Sequence, residues 1–160
     1  MHVSYRKAKS SDVELLVNTR LKLLEEDSGS MSDSERQGLY QSNKKVMDVA
    51  MENGSFFAFL AFDGDTFVGS CCACLYSVLP GRKLPDGRNA YIQNMFVEVP
   101  YRRNGIGKRL ARLCVKEALD RHYHRITLHA TQKGKLLFDE CGFQTTDTKQ
   151  LIPMLYTQMK

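Results

Sequence analysis

The sequence predicts a mixed α/β protein of the α+β type, with a central sheet that is antiparallel in its N-terminal half. Two apolar runs, SFFAFLAF and TFVGSCCACLY, flank Asp-Gly-Asp and indicate a β-hairpin. Further on, a strand, a helix and a second strand follow one another, which predicts a parallel strand pair with a right-handed crossover. The 160 residues suffice for one domain with a sizeable core, so we expect a single domain over 1–160.

The composition is that of a soluble globular protein. Hydrophobic residues make up 42% of the chain and charged residues 26%. The sequence contains no apolar run of about eighteen residues, and its N-terminus lacks the apolar segment of a secretory signal. We therefore expect a cytoplasmic protein that does not associate with membranes. The formal net charge of +5 suggests an anionic partner without identifying it.

The five cysteines favour a reduced protein. Their number is odd, and Cys71, Cys72 and Cys74 crowd into one apolar run. No second Cys or His pair stands at zinc-binding spacing. We interpret them as buried thiols and expect no metal.

The chain opens with a strand and two helices. Alternation through Val3 and Tyr5 predicts a strand over 2–8. A helix over 11–25 follows, for which Ser11 and Glu14 form a predicted capping box.

A second capping box introduces the next helix. It consists of Ser32 and Glu35, and the helix is expected to reach about Asn53. Gly54 then supplies a left-handed stop.

The hairpin and a long loop come next. Its strands are predicted over 55–62 and 66–76, and they are apolar enough to be covered on both faces. The loop over 77–89 contains two prolines and two glycines. Loops of this length either shape a binding pocket or form an exposed flap.

The second half predicts a strand over 90–99, a helix over 105–121 and a strand over 124–131. A short helix over 134–140 then ends before Gly142, and QLIPMLYTQMK predicts a last strand.

The segment between the predicted strand and the third helix is suited to binding an anion. Free N–H groups and the helix dipole at a helix N-terminus favour negative charge. Gly105 and Gly107 allow a close approach to the backbone, while Arg102, Arg103 and Lys108 can add charge-assisted hydrogen bonds. A phosphate group is the natural ligand of such a loop.

Three familiar explanations of this segment are disfavoured. A P-loop requires Gly and Ser/Thr at positions that hold Arg102 and Arg109, and a dinucleotide fingerprint requires Gly where Leu110 stands. No aromatic residues alternate with the basic residues of the following helix, which argues against nucleic acid as a partner. Those basic residues fit a solvated helix face.

The sequence RRNGIG, after a strand ending in Val-Pro and before an amphipathic helix, resembles the Gln/Arg-x-x-Gly-x-Gly/Ala signature of GNAT-type N-acetyltransferases. The order of elements is similar along nearly the whole chain, including LFDECGF before the last strand. The resemblance implies acetyl-CoA as co-substrate, bound between two splayed parallel strands flanked by helices. Phe96 and Val97 would pair with the pantetheine arm, and Phe138 would line the site. The pyrophosphate would bind the amides of Arg103, Asn104, Gly105, Ile106, Gly107 and Lys108, with Arg102 beside them.

The resemblance also implies direct attack of an amine on the thioester, with the Val97 amide stabilising the oxyanion. The chain departs from the family pattern where protons move: Gln93 stands where many relatives have an acidic residue, and Phe138 where many have a tyrosine. Glu98 and His129 are the remaining candidates for acid and base, because a carboxylate and an imidazole can both exchange protons. Tyr91 and Tyr76 are weaker candidates.

We therefore expect an acetyl-CoA-dependent N-acetyltransferase acting on a primary amine of a small molecule or on an amino terminus. A catalytically silent acetyl-CoA-binding module is the alternative. Both charge signs occur in the segments expected to form the acceptor pocket, so the acceptor stays open. Relatives are often dimers, and a homodimer stays open too.

Overall fold

The computed structural model describes residues 2–146, which form a mixed sheet with helices on both faces. The strands are β1 Val3–Lys7, β2 Phe56–Asp63, β3 Thr66–Ser77, β4 Arg88–Val97 and β5 Arg125–Thr127. The helices are α1 Val13–Ser28, α2 Asp33–Glu52, α3 Ile106–Asp120 and α4 Gln132–Asp139.

The sheet order is β1-β2-β3-β4-β5, antiparallel from β1 to β4 and parallel between β4 and β5. This confirms the predicted fold class. The parallel pairing covers only residues 89–91 of β4 and 125–127 of β5. Beyond Tyr91 the two strands separate, and β4 has an unpaired edge within the part of the chain that the structure describes. We call this stretch the open edge of β4.

Apolar residues cover the sheet on two faces. On the first, Ile106, Leu110 and Cys114 of α3 pack against Cys71 and Ile92; we call it the α3 face. On the second, helices α1 and α2 pack their buried residues against Ala58, Leu60 and Cys72; we call it the α1/α2 face. The predicted coverage of the hairpin on both sides is confirmed.

Several local predictions are confirmed. Ser32 caps α2, since its hydroxyl accepts a hydrogen bond from the Glu35 amide at 3.2 Å. This is one half of the predicted capping box; within residues 2–146 the Glu35 carboxylate does not accept from the Ser32 amide in return. Gly54 follows α2 with φ of 76°, in the left-handed region that favours glycine.

The predicted start of α1 is wrong. Ser11 lies inside a 3₁₀ turn over Ser10–Asp12, and the α-helix begins at Val13. The reason is Asp12, whose carboxylate accepts a hydrogen bond from the Lys9 amide at 2.7 Å and binds the Arg6 guanidinium at 2.8 Å. These contacts hold the chain in a tight turn before the helix.

Two predictions concern the C-terminal part. The strand over 124–131 is shorter than expected and ends at Thr127, because separation from β4 removes the ladder that would extend it. The helix α4 begins two residues earlier than predicted, since the Thr131 hydroxyl accepts from the Gly134 amide and serves as its cap. The predicted last strand lies outside the described residues.

Candidate functional site

The first part of the site is the loop between β4 and α3, residues 102–108, which we call the signature loop. Gly105 has φ of 77° and stands at the N-cap of α3. Among the described residues, no acceptor is found for the amides of Arg103, Asn104, Gly105, Ile106, Gly107 and Lys108. The next amide, of Arg109, bonds the Gly105 carbonyl at 3.0 Å. Six successive N–H groups therefore surround the start of a helix, which is a suitable arrangement for a phosphate.

The cationic side chains of this loop are mostly engaged elsewhere. Arg102 donates from Nε to the Val97 carbonyl at 2.7 Å and pairs with the Glu26 carboxylate at 2.9 Å. Lys108 pairs with Glu140 at 2.9 Å. Arg103 is exposed, and residues 2–146 offer it no acidic partner. The backbone amides, more than these side chains, are therefore available to an anion in this structure.

The signature loop is also positioned by packing. A Cβ added at Gly107 would lie 2.8 Å from Leu137 Cδ1 and 3.6 Å from Met95 and Val97 side-chain atoms. The first turn of α3 is therefore close to β4 and α4. Asn104 donates to the Tyr101 and Arg102 carbonyls at 3.2 and 3.1 Å and fixes the turn before Gly105. The free amides are thus held in place before any ligand arrives.

The second part of the site is an irregularity in β4 that sequence reasoning missed. The register with β3 shifts between Ser70 and Cys72, so that β4 carries an extra residue there. Asn94 occupies this β-bulge with φ of 56°, a left-handed conformation that asparagine tolerates better than most residues. The available signal was a pair of adjacent polar residues, Gln93 and Asn94, within the apolar run AYIQNMFV.

The bulge precedes the residues that face the open edge. The backbone amide of Glu98 donates a hydrogen bond to the Val68 carbonyl of β3 at 2.9 Å. Since backbone groups alternate along a strand, Phe96 also faces β3, and Val97 presents its N–H and carbonyl to the open edge. The Arg102 contact with the Val97 carbonyl agrees with this orientation. The expectation for a backbone contact therefore fits Val97, whereas the Phe96 backbone is turned away.

The third part is a polar set on the α1/α2 face of β4. Tyr91 Oη and His129 Nδ1 lie 2.8 Å apart and link β4 to the segment that follows β5, where the two strands separate. Gln93 donates to Cys74 Sγ at 2.9 Å, and Asn94 to Cys72 Sγ at 3.7 Å. The Asn94 side-chain oxygen, Oδ1, and the Ser70 hydroxyl are buried and have no hydrogen-bond partner among the described residues.

The candidate acid and base residues occupy different surroundings. Glu98 pairs with Lys22 of α1 at 2.8 Å, near the signature loop. His129 is exposed and lines an open cavity of about 650 Å³ beside β5 and α4, which none of residues 102–108 reaches. Phe138 lines the same cavity and packs edge-to-face on Phe143. The structure thus brings His129, Tyr91 and Phe138 into one neighbourhood, and Glu98 into another.

The cysteines are unsuited to nucleophilic catalysis. A hydrogen bond with Cys114 and burial raise the pKa of Cys71, and burial raises the pKa of Cys72 and of Cys74. Burial also raises the pKa of Cys141. These thiols are protonated at neutral pH, so they do not offer the thiolate that an acyl-enzyme requires. Within residues 2–146 no group of three or more His, Cys, Asp or Glu side chains is arranged to hold a metal ion.

A family model described as the acetyltransferase (GNAT) family matches residues 20–143. Among solved structures, a predicted acetyltransferase from Clostridium acetobutylicum, solved with acetyl-CoA, is 25% identical with a TM-score of 0.84, and the match covers 96% of each chain. No curated protein matches the chain.

Two further structures share the fold. A GCN5-related N-acetyltransferase from Ralstonia eutropha has a TM-score of 0.81 at 21% identity, over 96% of this chain and 99% of that one. An aminoglycoside acetyltransferase from a soil metagenomic sample, in complex with sisomicin, has a TM-score of 0.65 at 17% identity, over 98% and 97%. In the part of the chain that the structure describes, helices are too short or too polar to cross a membrane.

Proposed function

The chain belongs to the GNAT family of acetyltransferases, and from this premise we propose that it transfers the acetyl group of acetyl-CoA to a primary amine by direct attack. The observation that carries the proposal is the set of six amides from Arg103 to Lys108, beside the open edge of β4, that have no acceptor within residues 2–146. A pyrophosphate fits the first feature, and an extended pantetheine arm fits the second. The residues present are therefore compatible with acetyl-CoA.

The backbone of β4 is expected to polarise the thioester. The Val97 N–H faces the open edge, where an extended chain would place its carbonyl groups. The bulge at Asn94 interrupts the regular ladder with β3 three residues before this amide. Val97 thus takes the role of oxyanion donor in our proposal.

Protons are assigned to the Tyr91–His129 pair. The hydrogen bond between them lies where β4 and β5 separate, and His129 is open to solvent through the cavity. An imidazole and a phenol in contact can accept the proton of the amine. Because Tyr91 precedes Val97 by six residues of β4, water must carry the proton from the reacting amine to this pair. Glu98 is the weaker candidate, because its carboxylate is engaged by Lys22. The Gln93 and Phe138 side chains can neither accept a proton from the amine nor donate one to the thiolate.

Turnover and binding together test this proposal. CoA release is followed with a thiol reagent in the presence of acetyl-CoA and a panel of amino acids, polyamines, aminoglycosides and short peptides, while acetyl-CoA binding is measured by calorimetry. We expect binding, and turnover with one class of amine. Binding without turnover of any amine would favour a silent acetyl-CoA-binding module, and absence of binding to folded protein would contradict both.

A further inference from the structure

Helix α1 carries a cation on the side that packs against the sheet. Leu16 and Val17 are fully buried on the α1/α2 face, and Arg20 follows them by four and three residues. Positions at this spacing share one face of a helix. Helical side chains lean towards the helix N-terminus, so Arg20 extends over the sheet and is itself only partly exposed.

Other cations on or near α1 have acidic partners. Lys22 pairs with Glu98 at 2.8 Å, and Arg36 with Glu25 at 2.8 Å. Arg20 has neither a hydrogen bond nor an ion pair among residues 2–146. The other partly buried Lys and Arg side chains in this range all bind an acceptor: Arg36, Lys44, Arg88, Lys108 and Arg121. A partly buried guanidinium without an anion is costly, which makes Arg20 exceptional.

Arg20 lies one turn after Leu16 and Val17, which belong to the same core cluster as Cys72, the residue opposite the bulge in β4. Burial raises the pKa of Cys72, and the Arg20 charge acts on that thiol in the opposite direction. Cys72 Sγ in turn accepts from Asn94 at 3.7 Å. Next to it lie two buried polar atoms that lack partners among the described residues, the Ser70 hydroxyl and the Asn94 carbonyl oxygen. A guanidinium and two buried hydrogen-bonding atoms therefore belong to the same face of the sheet, at the strand that carries Val97.

We propose that Arg20 binds a carboxylate on the acceptor, so that the substrate is an amine that also carries a carboxylate group. A guanidinium presents two parallel N–H donors that match the two oxygens of a carboxylate. One unpaired cation balances one carboxylate, whereas a phosphate dianion would keep an unmatched charge, since Lys22 is already paired. This inference rests on the proposed function, because it assumes that the amine approaches from the α1/α2 face.

The experiment compares amino acids with the corresponding amides and with the amines that lack the carboxylate, in the presence of CoA for binding and of acetyl-CoA for turnover. Binding is measured by calorimetry and turnover by CoA release. The variants are Arg20→Gln, which removes the charge, and Arg20→Lys, which keeps it without the fork. Lys45→Gln is the matched control, because it removes an exposed cation from α2. Thermal unfolding of each variant shows that it is folded.

We expect the wild type to prefer carboxylate-bearing amines over their amides. Arg20→Gln should lose about 10- to 100-fold in affinity and in kcat/KM for the carboxylates only. Arg20→Lys should retain part of the preference for carboxylate-bearing amines. Lys45→Gln should retain all of it. If Arg20→Gln is unfolded, the Arg20→Lys comparison decides: unchanged selectivity in that variant would contradict recognition by the guanidinium fork.

Failure of the inference and failure of the proposed function give different results. Turnover of amines without any preference for a carboxylate, or a preference that survives Arg20→Gln, would overturn the role of Arg20 and leave the acetyltransferase intact. A preference for phosphate-bearing amines that depends on Arg20 would overturn the carboxylate assignment. Carboxylate binding that depends on Arg20, without turnover of any amine, would support the site and contradict the enzyme.

Discussion

The signature loop and the α1/α2 face of β4 are built in different ways. In the loop, the groups that we propose to bind the cofactor are backbone amides, six of which have no acceptor within the described residues. The nearby Arg102 and Lys108 side chains are paired with acids. On the α1/α2 face, the available groups are side chains: Tyr91, His129, Asn94 and Arg20. A backbone site can bind the same cofactor while its side chains vary, whereas a side-chain site determines which acceptor is chosen.

The largest effect is expected from Gly105→Asp. The residue would have to adopt φ of 77° and would place a carboxylate beside the six free amides. Repulsion of a bound phosphate should lower acetyl-CoA affinity by about 100-fold or more, as measured by calorimetry. Gly54→Asp is the control, since Gly54 has φ of 76° and, like Gly105, open space for a Cβ. An equal loss of affinity in both variants would mean that backbone strain, and not the anion site, is responsible.

The next effect concerns the proton-transfer pair. His129→Gln and Tyr91→Phe each remove one member of the 2.8 Å contact while keeping the shape of the side chain. We expect kcat to fall by about 100-fold for His129→Gln and less for Tyr91→Phe, with little change in acetyl-CoA affinity. Glu98→Gln is the comparison, and a larger loss there than in His129→Gln would reverse our assignment.

The bulge should respond to the shape of residue 94. Asn94→Val places a β-branched residue at φ of 56° and should destabilise the protein by about 1–2 kcal/mol and reduce kcat. Asn94→Gly tolerates the backbone conformation and should retain more of the activity. Urea unfolding and CoA release measure the two effects. Similar stability of Asn94→Val and Asn94→Gly would show that the bulge is not held by this conformation.

The smallest effect is expected at the turn before α1. The hydrogen bond with Arg6 lowers the pKa of Asp12 in the folded protein. The contribution of the Asp12 carboxylate to the free energy of unfolding is therefore present above the pKa of the unfolded state, near pH 4. It is lost as the pH falls through the pKa of the folded state. Asp12→Asn should lower the free energy of unfolding at pH 7 by about 1 kcal/mol, with a smaller difference at pH 3. Asp48→Asn, at an exposed pair on α2, should change little at either pH.

The same contrast explains what could be predicted from the sequence. The signature loop can be predicted from the sequence because glycine and a strand-to-helix boundary are local signals. The hairpin and the α2 cap can be predicted for the same reason. The bulge was not, because one extra residue in a ladder shows itself only against the partner strand. The engagement of Arg102 by Glu26 and of Lys22 by Glu98 joins residues 76 positions apart, and no local pattern reveals it. The isolation of Arg20 is visible only once those pairs are known.

The binding of the acetyl-CoA pyrophosphate by the loop is tested most directly by the response of the backbone amides to acetyl-CoA. In ¹H–¹⁵N correlation spectra of the protein, titration with acetyl-CoA should shift the amide signals of residues 103–108. All six shifts should follow the same dependence on acetyl-CoA concentration and reach saturation at the same concentration. The Val97 amide should shift with them when acetyl-CoA is added and less when CoA is added, since CoA lacks the thioester carbonyl. Unchanged signals from residues 103–108 in the presence of bound acetyl-CoA would contradict the central claim that these free amides hold its pyrophosphate.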